Sequence, residues 1–324
     1  MRKLDILVPH YHEDASVIKP LLDSIAIQQN VDFANIGVII CHDGEEIEDI
    51  VFPDGYPFEI EQIRIPHGGV SAARNAALDH SEAEYVMFCD SDDMFFNACG
   101  LWVVFRDLGA NDVDTFVSTF LEETRTADTK KPVYLVHSDD CTFVHGKVHR
   151  RQYLIDNDIR WNEALTVHED SYFNILCQTL TEKKYECPTA FYLWKYRNDS
   201  VCRHDPKYML KTYHNLIESS DALITEFRRR GMDDRAKFYV IAATFDAYYT
   251  MNKPDWINQE NVDYRDSTER RFAAYFRKYR DIWDEVADKD KMRVGTNVRA
   301  RNVNEGMGME QITISDWLKH IEAL

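Results

Sequence analysis

Three short apolar runs constrain this chain most. Each is five residues long; Gly37–Cys41 and Tyr85–Cys89 are continuous rather than alternating, and Leu4–Val8 is broken only by Asp5. Such runs suit strands buried on both faces, and they are too short for buried helices. Helical signals lie between them. Residues 17–29 place Val17, Leu21, Leu22, Ile25 and Ile27 on a helix, and Val70–Leu78 is rich in alanine. Phe58–Ile65 alternates and reads as another strand. Strand–helix–strand order implies an α/β fold, a mainly parallel sheet with flanking helices. Ligands of such sheets bind beyond the carboxyl ends of the strands. Asp43 and the run Asp90-Ser91-Asp92-Asp93 fall at those ends.

The remaining chain is organised differently. Residues 113–200 are less regular, with strands expected near 114–120, 133–136 and 185–194 and helices near 150–157 and 169–180. After Pro206 apolar residues recur at helical spacing: Met209, Tyr213, Leu216, Leu223 and Phe227, then Phe238, Ile241, Ala242, Phe245 and Tyr249, then Phe272, Tyr275, Phe276 and Tyr279. The expected division is a catalytic domain over 1–205 and a helical domain or extension over 206–324.

Charge follows the same division. The chain has 324 residues and a formal net charge of −18. Residues 1–205 contain 18 basic and 36 acidic side chains, whereas 206–324 contain 20 of each. The acidic part disfavours a nucleic-acid surface and suits a site for a cation or a cation-bridged anion. The seven cysteines are odd in number and lack a C-x-x-C pair, so neither a disulfide framework nor a structural zinc site is indicated. The N-terminus has no long apolar core of a signal peptide, and no stretch approaches the ~20 apolar residues of a membrane span. A soluble, cytoplasmic protein is the expectation.

Three motifs carry candidate chemistry. Asp90, Asp92 and Asp93 repel one another unless a cation or solvent compensates. Hard oxygen ligands after a buried strand suit Mg²⁺ or Mn²⁺, which bridges to phosphate oxygens. An isolated D-x-D is more often a solvated acidic turn; the apolar strand before this one favours the metal. His67-Gly68-Gly69 leads into an alanine-rich helix with Arg74 one turn in, where exposed amides and a guanidinium can hold an anion. Glu169-Asp170 opens a further helical run. Asp170 suits a general base, and an acidic first helical turn is the competing reading.

Taken together, these segments resemble the family 2 glycosyltransferases. Leu4–Tyr11 is similar to their opening strand, and Ile39–Gly44 to their Val-Asp-Asp-Gly-Ser turn. Gly69–Asn75 is similar to Gly-x-x-x-Ala-Arg-Asn, and Phe88–Asp93 to Leu-Asp-Ser-Asp-Asp. His145–Arg151, Ile159–Trp161 and His168–Asp170 resemble the later Gly-Lys…Arg-Phe…Glu-Asp block. His10, His12 and His42 depart from the pattern. The resemblance covers about residues 4–203. It implies a glycosyltransferase A (Rossmann-like) fold and an inverting transfer from a nucleotide-diphosphate sugar, UDP-linked by expectation, to an acceptor hydroxyl. Mn²⁺ or Mg²⁺ is the implied cofactor. Pro9, Tyr11, Asp43, Arg74, Asp90 and Lys147 would bind the donor. Asp92, Asp93 and His204 would hold the metal. Asp170 would be the catalytic base, oriented by Glu169. The absence of Gln-x-x-Arg-Trp favours transfer of one or a few sugars over polymer synthesis.

Arg265, Arg270, Arg271, Arg277, Lys278 and Arg280 surround the last aromatic stripe. They read as a solvated rim, with an anionic glycan acceptor as the alternative. The helical third leaves room for an oligomer interface. Two rival functions stand beside the transferase. A nucleotidyltransferase would need a Gly-rich, Lys-containing loop after the first strand, which residues 9–16 lack. A non-catalytic nucleotide- or sugar-binding module would not need Asp90, Asp92 and Asp170 together.

Overall fold

A computed structural model describes residues 2–52, 55–126, 128–197, 207–304 and 312–324. The chain divides into two compact units, 1–198 and 199–324.

The first unit begins with β1 (Leu4–His10), α1 (Ala15–Ala26), β2 (Ile36–Asp43), β3 (Glu59–Ile65), α2 (Val70–His80) and β4 (Tyr85–Phe88). It continues with β5 (Met94–Phe95), α3 (Gly100–Ala110), β6 (Thr115–Arg125), β7 (Pro132–His137), β8 (Lys147–Arg150), α4 (Arg151–Asp156), α5 (Glu169–Thr179) and β9 (Lys184–Trp194). The strands form one sheet in the order β3-β2-β1-β4-β8-β6-β9-β5, with β7 on β6. β3, β2, β1 and β4 are mutually parallel, and β6 pairs parallel to β9. β8 enters antiparallel between β4 and β6.

The apolar runs explain the parallel half. Ile6 is in register with Val38 and Met87, and Leu7 with Ile39 and Phe88, all completely buried. Alternation along the strands sends these two rows to opposite faces, so both faces need a cover. Ile18, Leu21, Leu22 and Ile25 of α1 are buried in the same core cluster as Ile6, Val8, Val38 and Ile40. Each such side chain contributes about 1.5–3 kcal/mol of burial. α1 starts where the Asp14 carboxylate accepts the Ser16 amide at 2.8 Å. It ends at Ala26, so Ile27 is 62% exposed and not on the buried stripe. β8 is an element the sequence reading left out.

The second unit is helical over Tyr208–Arg229, Asp233–Met251, Pro254–Ile257, Val262–Lys278, Arg280–Glu285, Asp288–Asn304 and Ile314–Glu322. Phe227, Ile241, Phe245, Phe272, Phe276 and Trp317 are buried in it, whereas Phe238 is exposed. The basic rim is partly neutralised: Arg271 pairs with Glu218 at 2.6 Å, Lys278 with Asp221 at 2.7 Å and Arg280 with Asp284 at 2.8 Å. No described helix is long and apolar enough to cross a membrane.

Candidate active site

The carboxyl end of β4, the first turn of α5 and the body of α2 meet around one guanidinium. Arg74 is buried on α2. Its Nη2 donates to Asp90 Oδ1 at 2.8 Å. Its Nη1 donates to Asp170 Oδ1 at 2.9 Å and Glu169 Oε1 at 3.2 Å. The Trp161 ring lies under it, 4.3 Å from Cζ, and stacks in turn on Phe173. Burial opposes the charge of Arg74, but Asp170, Asp90 and Glu169 outweigh it and raise its pKa.

One cation among three carboxylates leaves the acids unequal. Asp90 is disfavoured as an anion by burial, but Arg74 and then His145 reverse the balance and lower its pKa. Asp170 is governed by burial, opposed by Arg74 and reinforced by Glu169 and Asp90, and is pushed up to about 8. Its Oδ2 accepts the Val144 amide at 3.2 Å, which fixes the carboxylate plane.

The acidic run behind this cluster does not act as one set. Asp93 is fully buried; Tyr192 Oη donates to its Oδ2 at 2.7 Å and the Lys195 amide to its Oδ1 at 2.9 Å. Burial, then Asp90 and Asp92, push its pKa well up. Asp92 turns to Arg197, with Nη1 3.2 Å from its Oδ2. Asp90, Asp93 and His145 bring one ligand atom each to within 4.8 Å of one another. His145 is buried, and its Nδ1 has no hydrogen-bond partner among the described residues although Asp93 Oδ2 is 3.4 Å away. Burial drives its pKa down to about 3, so the imidazole is neutral and free to ligate. An orphaned imidazole nitrogen beside two carboxylates fits a divalent cation. The mixed nitrogen and oxygen donors suit Mn²⁺ better than Mg²⁺, which prefers an all-oxygen shell.

Residues 5–163 match the model of the family described as "Glycosyl transferase family 2". This segment is a family 2 glycosyltransferase domain. Among curated relatives, the minor teichoic acid biosynthesis protein GgaB of Bacillus subtilis strain 168 is 26% identical over 66% of this chain and 27% of its own. The poly(ribitol-phosphate) beta-N-acetylglucosaminyltransferase TarS of Staphylococcus aureus strain Mu50 is 26% identical over 54% of this chain and 32% of its own. This chain therefore spans about a third or less of the length of these two relatives. The crystal structure of S. aureus TarS 1–349 in complex with UDP superposes with a TM-score of 0.61 at 16% identity, covering 93% of this chain and 88% of that one. That likeness establishes a shared glycosyltransferase A fold.

The expected site residues sit in different surroundings from one another. Arg74 is buried, with its side chain 4% exposed and its Nη groups on Asp90, Glu169 and Asp170. Lys147 is also buried, and its ammonium goes to Asp140 at 3.1 Å and to the Phe143 carbonyl. Asp92 lies outside the three-residue ligand cluster, and Asp90 stands in it instead. His204 lies outside the described residues. Asp43 is buried and accepts the Gly68 and Gly69 amides at 2.7 and 2.9 Å, so it braces the loop before α2. Gly69 has φ +89°, which explains glycine at this bend. Tyr11 is half exposed after β1 and stacks on His67 at 4.9 Å, and Pro9 lies near the end of β1. Sequence reasoning missed His145 as a candidate ligand and the platform formed by Trp161. His145 stood within a recognised segment, but only β8 brings it beside β4.

Proposed function

We propose that the chain transfers a sugar from a UDP-linked donor to an acceptor hydroxyl, with inversion at the anomeric carbon and dependence on a divalent cation. The observation that carries this reading is the Arg74 cluster. One buried guanidinium holds Asp90, a candidate cation ligand, and Asp170, whose pKa of about 8 suits a general base. Asp90, Asp93 and His145 would hold the cation, Mn²⁺ in preference to Mg²⁺, with Asp92 alongside. Bound there, it supplies charge stabilisation for a diphosphate leaving group. Asp170 takes the acceptor proton on a carboxylate oxygen. The acceptor oxygen forms its bond to the anomeric carbon as the bond to the β-phosphate oxygen breaks, so one displacement inverts the centre. Glu169 shares Arg74 with Asp170 and positions it. Tyr11 and Asp43 flank the nucleotide end.

TarS and GgaB are named for polyol-phosphate and teichoic acid chemistry. A hydroxyl on an anionic polyol-phosphate chain is accordingly the proposed acceptor class. Labelled UDP-GlcNAc and UDP-glucose, offered with poly(ribitol phosphate) and Mn²⁺, should give labelled polymer, and EDTA should abolish it. Undiminished labelling in EDTA, or labelling from GDP- or CDP-sugars alone, would reject this reading.

The ligand set has its own test. Loss of even an outer-shell partner costs about 10–100-fold in metal affinity. His145→Ala removes a ligand and should weaken Mn²⁺ binding at least about tenfold, read by electron paramagnetic resonance titration of the free protein. Equal affinity in the variant would remove His145 from the set.

A further inference from the structure

A buried polar chain crosses the sheet at the carboxyl ends of β1, β2 and β3. His10 and His42 are in register on adjacent strands and almost completely buried. Their Nδ1 atoms are 2.9 Å apart. His10 Nε2 lies 2.9 Å from the Glu13 carbonyl. A carbonyl only accepts, so this nitrogen carries a proton. His42 Nε2 lies 3.0 Å from Gln62 Oε1. The Gln62 amide cannot flip without penalty, because its Oε1 accepts the Ile50 amide at 2.8 Å and its Nε2 donates to the Ile50 carbonyl at 3.0 Å. His42 Nε2 therefore carries a proton as well. Two Nδ1 lone pairs facing each other at 2.9 Å would repel, so one further proton lies between them. Three protons on four nitrogens is one more than two neutral imidazoles hold.

The surroundings suit a single charge. Glu13 Oε2 is 3.7 Å from His10 Nε2, and Asp49 Oδ1 is 3.9 Å from His42 Nε2. Arg64, on the neighbouring strand, is held by Asp49 at 2.6 Å. Asp43, next along β2, spends its carboxylate on Gly68 and Gly69. Burial, opposed by the Gln62 bond and reinforced by His10 and Arg64, keeps His42 as an individual group below the ordinary histidine range. The three hydrogen bonds are satisfied together only when the pair carries one proton beyond two neutral imidazoles.

We infer that His10, His42 and Gln62 form a one-proton clamp that positions the two connections flanking the nucleotide end of the site. Through Glu13 the clamp holds the segment that follows Tyr11, and through Ile50 it holds the connection that follows Asp43. Losing the shared proton breaks one of these links. The clamp is therefore intact at low pH and opens as that proton leaves with rising pH. The donor part of this inference rests on the proposed UDP-sugar reading; the proton count does not.

The test is ¹⁵N-histidine NMR on the free protein across pH 5–9. Three protonated nitrogens on the pair near pH 7, lost in one step, are expected. Gln62→Leu removes the pinned acceptor and should move that step down by at least about one pH unit, while Gln62→Glu should move it up. If Gln62→Leu fails to fold, Gln62→Glu alone decides the direction. Two protons on four nitrogens throughout, or a step indifferent to the variants, would overturn the clamp. UDP affinity should fall at least about tenfold across the same step in the natural chain. Unchanged UDP affinity across an observed step overturns the positioning role and leaves the proton count intact. No UDP binding at any pH overturns the donor reading, and the positioning role with it.

Discussion

Asp170→Asn should lower transfer by about 10²–10⁴-fold, the range that a positioned general base contributes, while UDP-sugar affinity stays within about twofold. The asparagine carbonyl can still accept from Arg74 Nη1, but its Nδ2 only donates, so the bond from the Val144 amide is lost. What it lacks is a lone pair basic enough to take the acceptor proton. In the natural chain burial pushes Asp170 up to about 8 against the pull of Arg74. Only the ionised form can act as base, so kcat/KM should rise with pH up to about 8 and then level. The same shift makes a stability prediction of definite sign. The folded chain keeps a proton on Asp170 at pH values where an unfolded Asp, near 3.9, has lost it. This group's contribution to stability therefore falls as pH rises from about 4 to about 8. Asp170→Asn is neutral at every pH. Its Tm should therefore gain on that of the natural chain between pH 5 and pH 9. Differential scanning fluorimetry and initial-rate kinetics on the one variant read both effects. Normal turnover would remove Asp170 as the base, and a Tm difference that stays the same from pH 5 to pH 9 would remove the buried-acid account.

Much of this arrangement is legible in the sequence because it depends on local pattern. Leu4–Val8, Gly37–Cys41 and Tyr85–Cys89 announce strands as short runs that are apolar apart from Asp5, and the acidic run announces a strand end. The aromatic stripe 272–279 announces a helix because its burial follows the helical period. What is not legible depends on distance. Arg74 reaches partners 16, 95 and 96 residues away, and nothing in Gly69–Asn75 distinguishes an anion ligand from a buried hub. β8 is four residues of Lys-Val-His-Arg with no apolar run, yet its insertion between β4 and β6 brings His145 to Asp90 and Asp93. Three neighbouring aspartates look equivalent in a string. Tyr192, 99 residues from Asp93, and Arg197 make them different. His42 reads as a departure from a turn motif until the register places His10 beside it.

Arg74→Ala should destabilise the chain by about 3–5 kcal/mol, because it leaves buried carboxylates without their cation. Asp90, Glu169 and Asp170 would then face one another across the space the guanidinium filled, and the Trp161 face would lose its partner at 4.3 Å. Arg74→Lys separates charge from geometry. A lysine keeps the positive charge but cannot present two fork nitrogens to carboxylates on two sides, so it should recover only part of the loss. Urea denaturation gives both values, provided the slope stays constant. Kinetics distinguish a hub from mere packing. Arg74 opposes the burial-driven rise of Asp170, so its loss should move the acid limb of kcat/KM above pH 8. A packing defect alone would lower the amplitude without moving that limb. Combining Arg74→Ala with Asp170→Asn completes a double-mutant cycle. Residues in one buried network commonly couple by about 0.5–3 kcal/mol. If Arg74 mainly compensates Asp170, the double variant should be less destabilised than the sum of the two changes, because removing the acid removes part of the need for the cation. Strict additivity would mean that Arg74 serves Asp90 and Trp161 instead, and that the base is held by Glu169 and the Val144 amide.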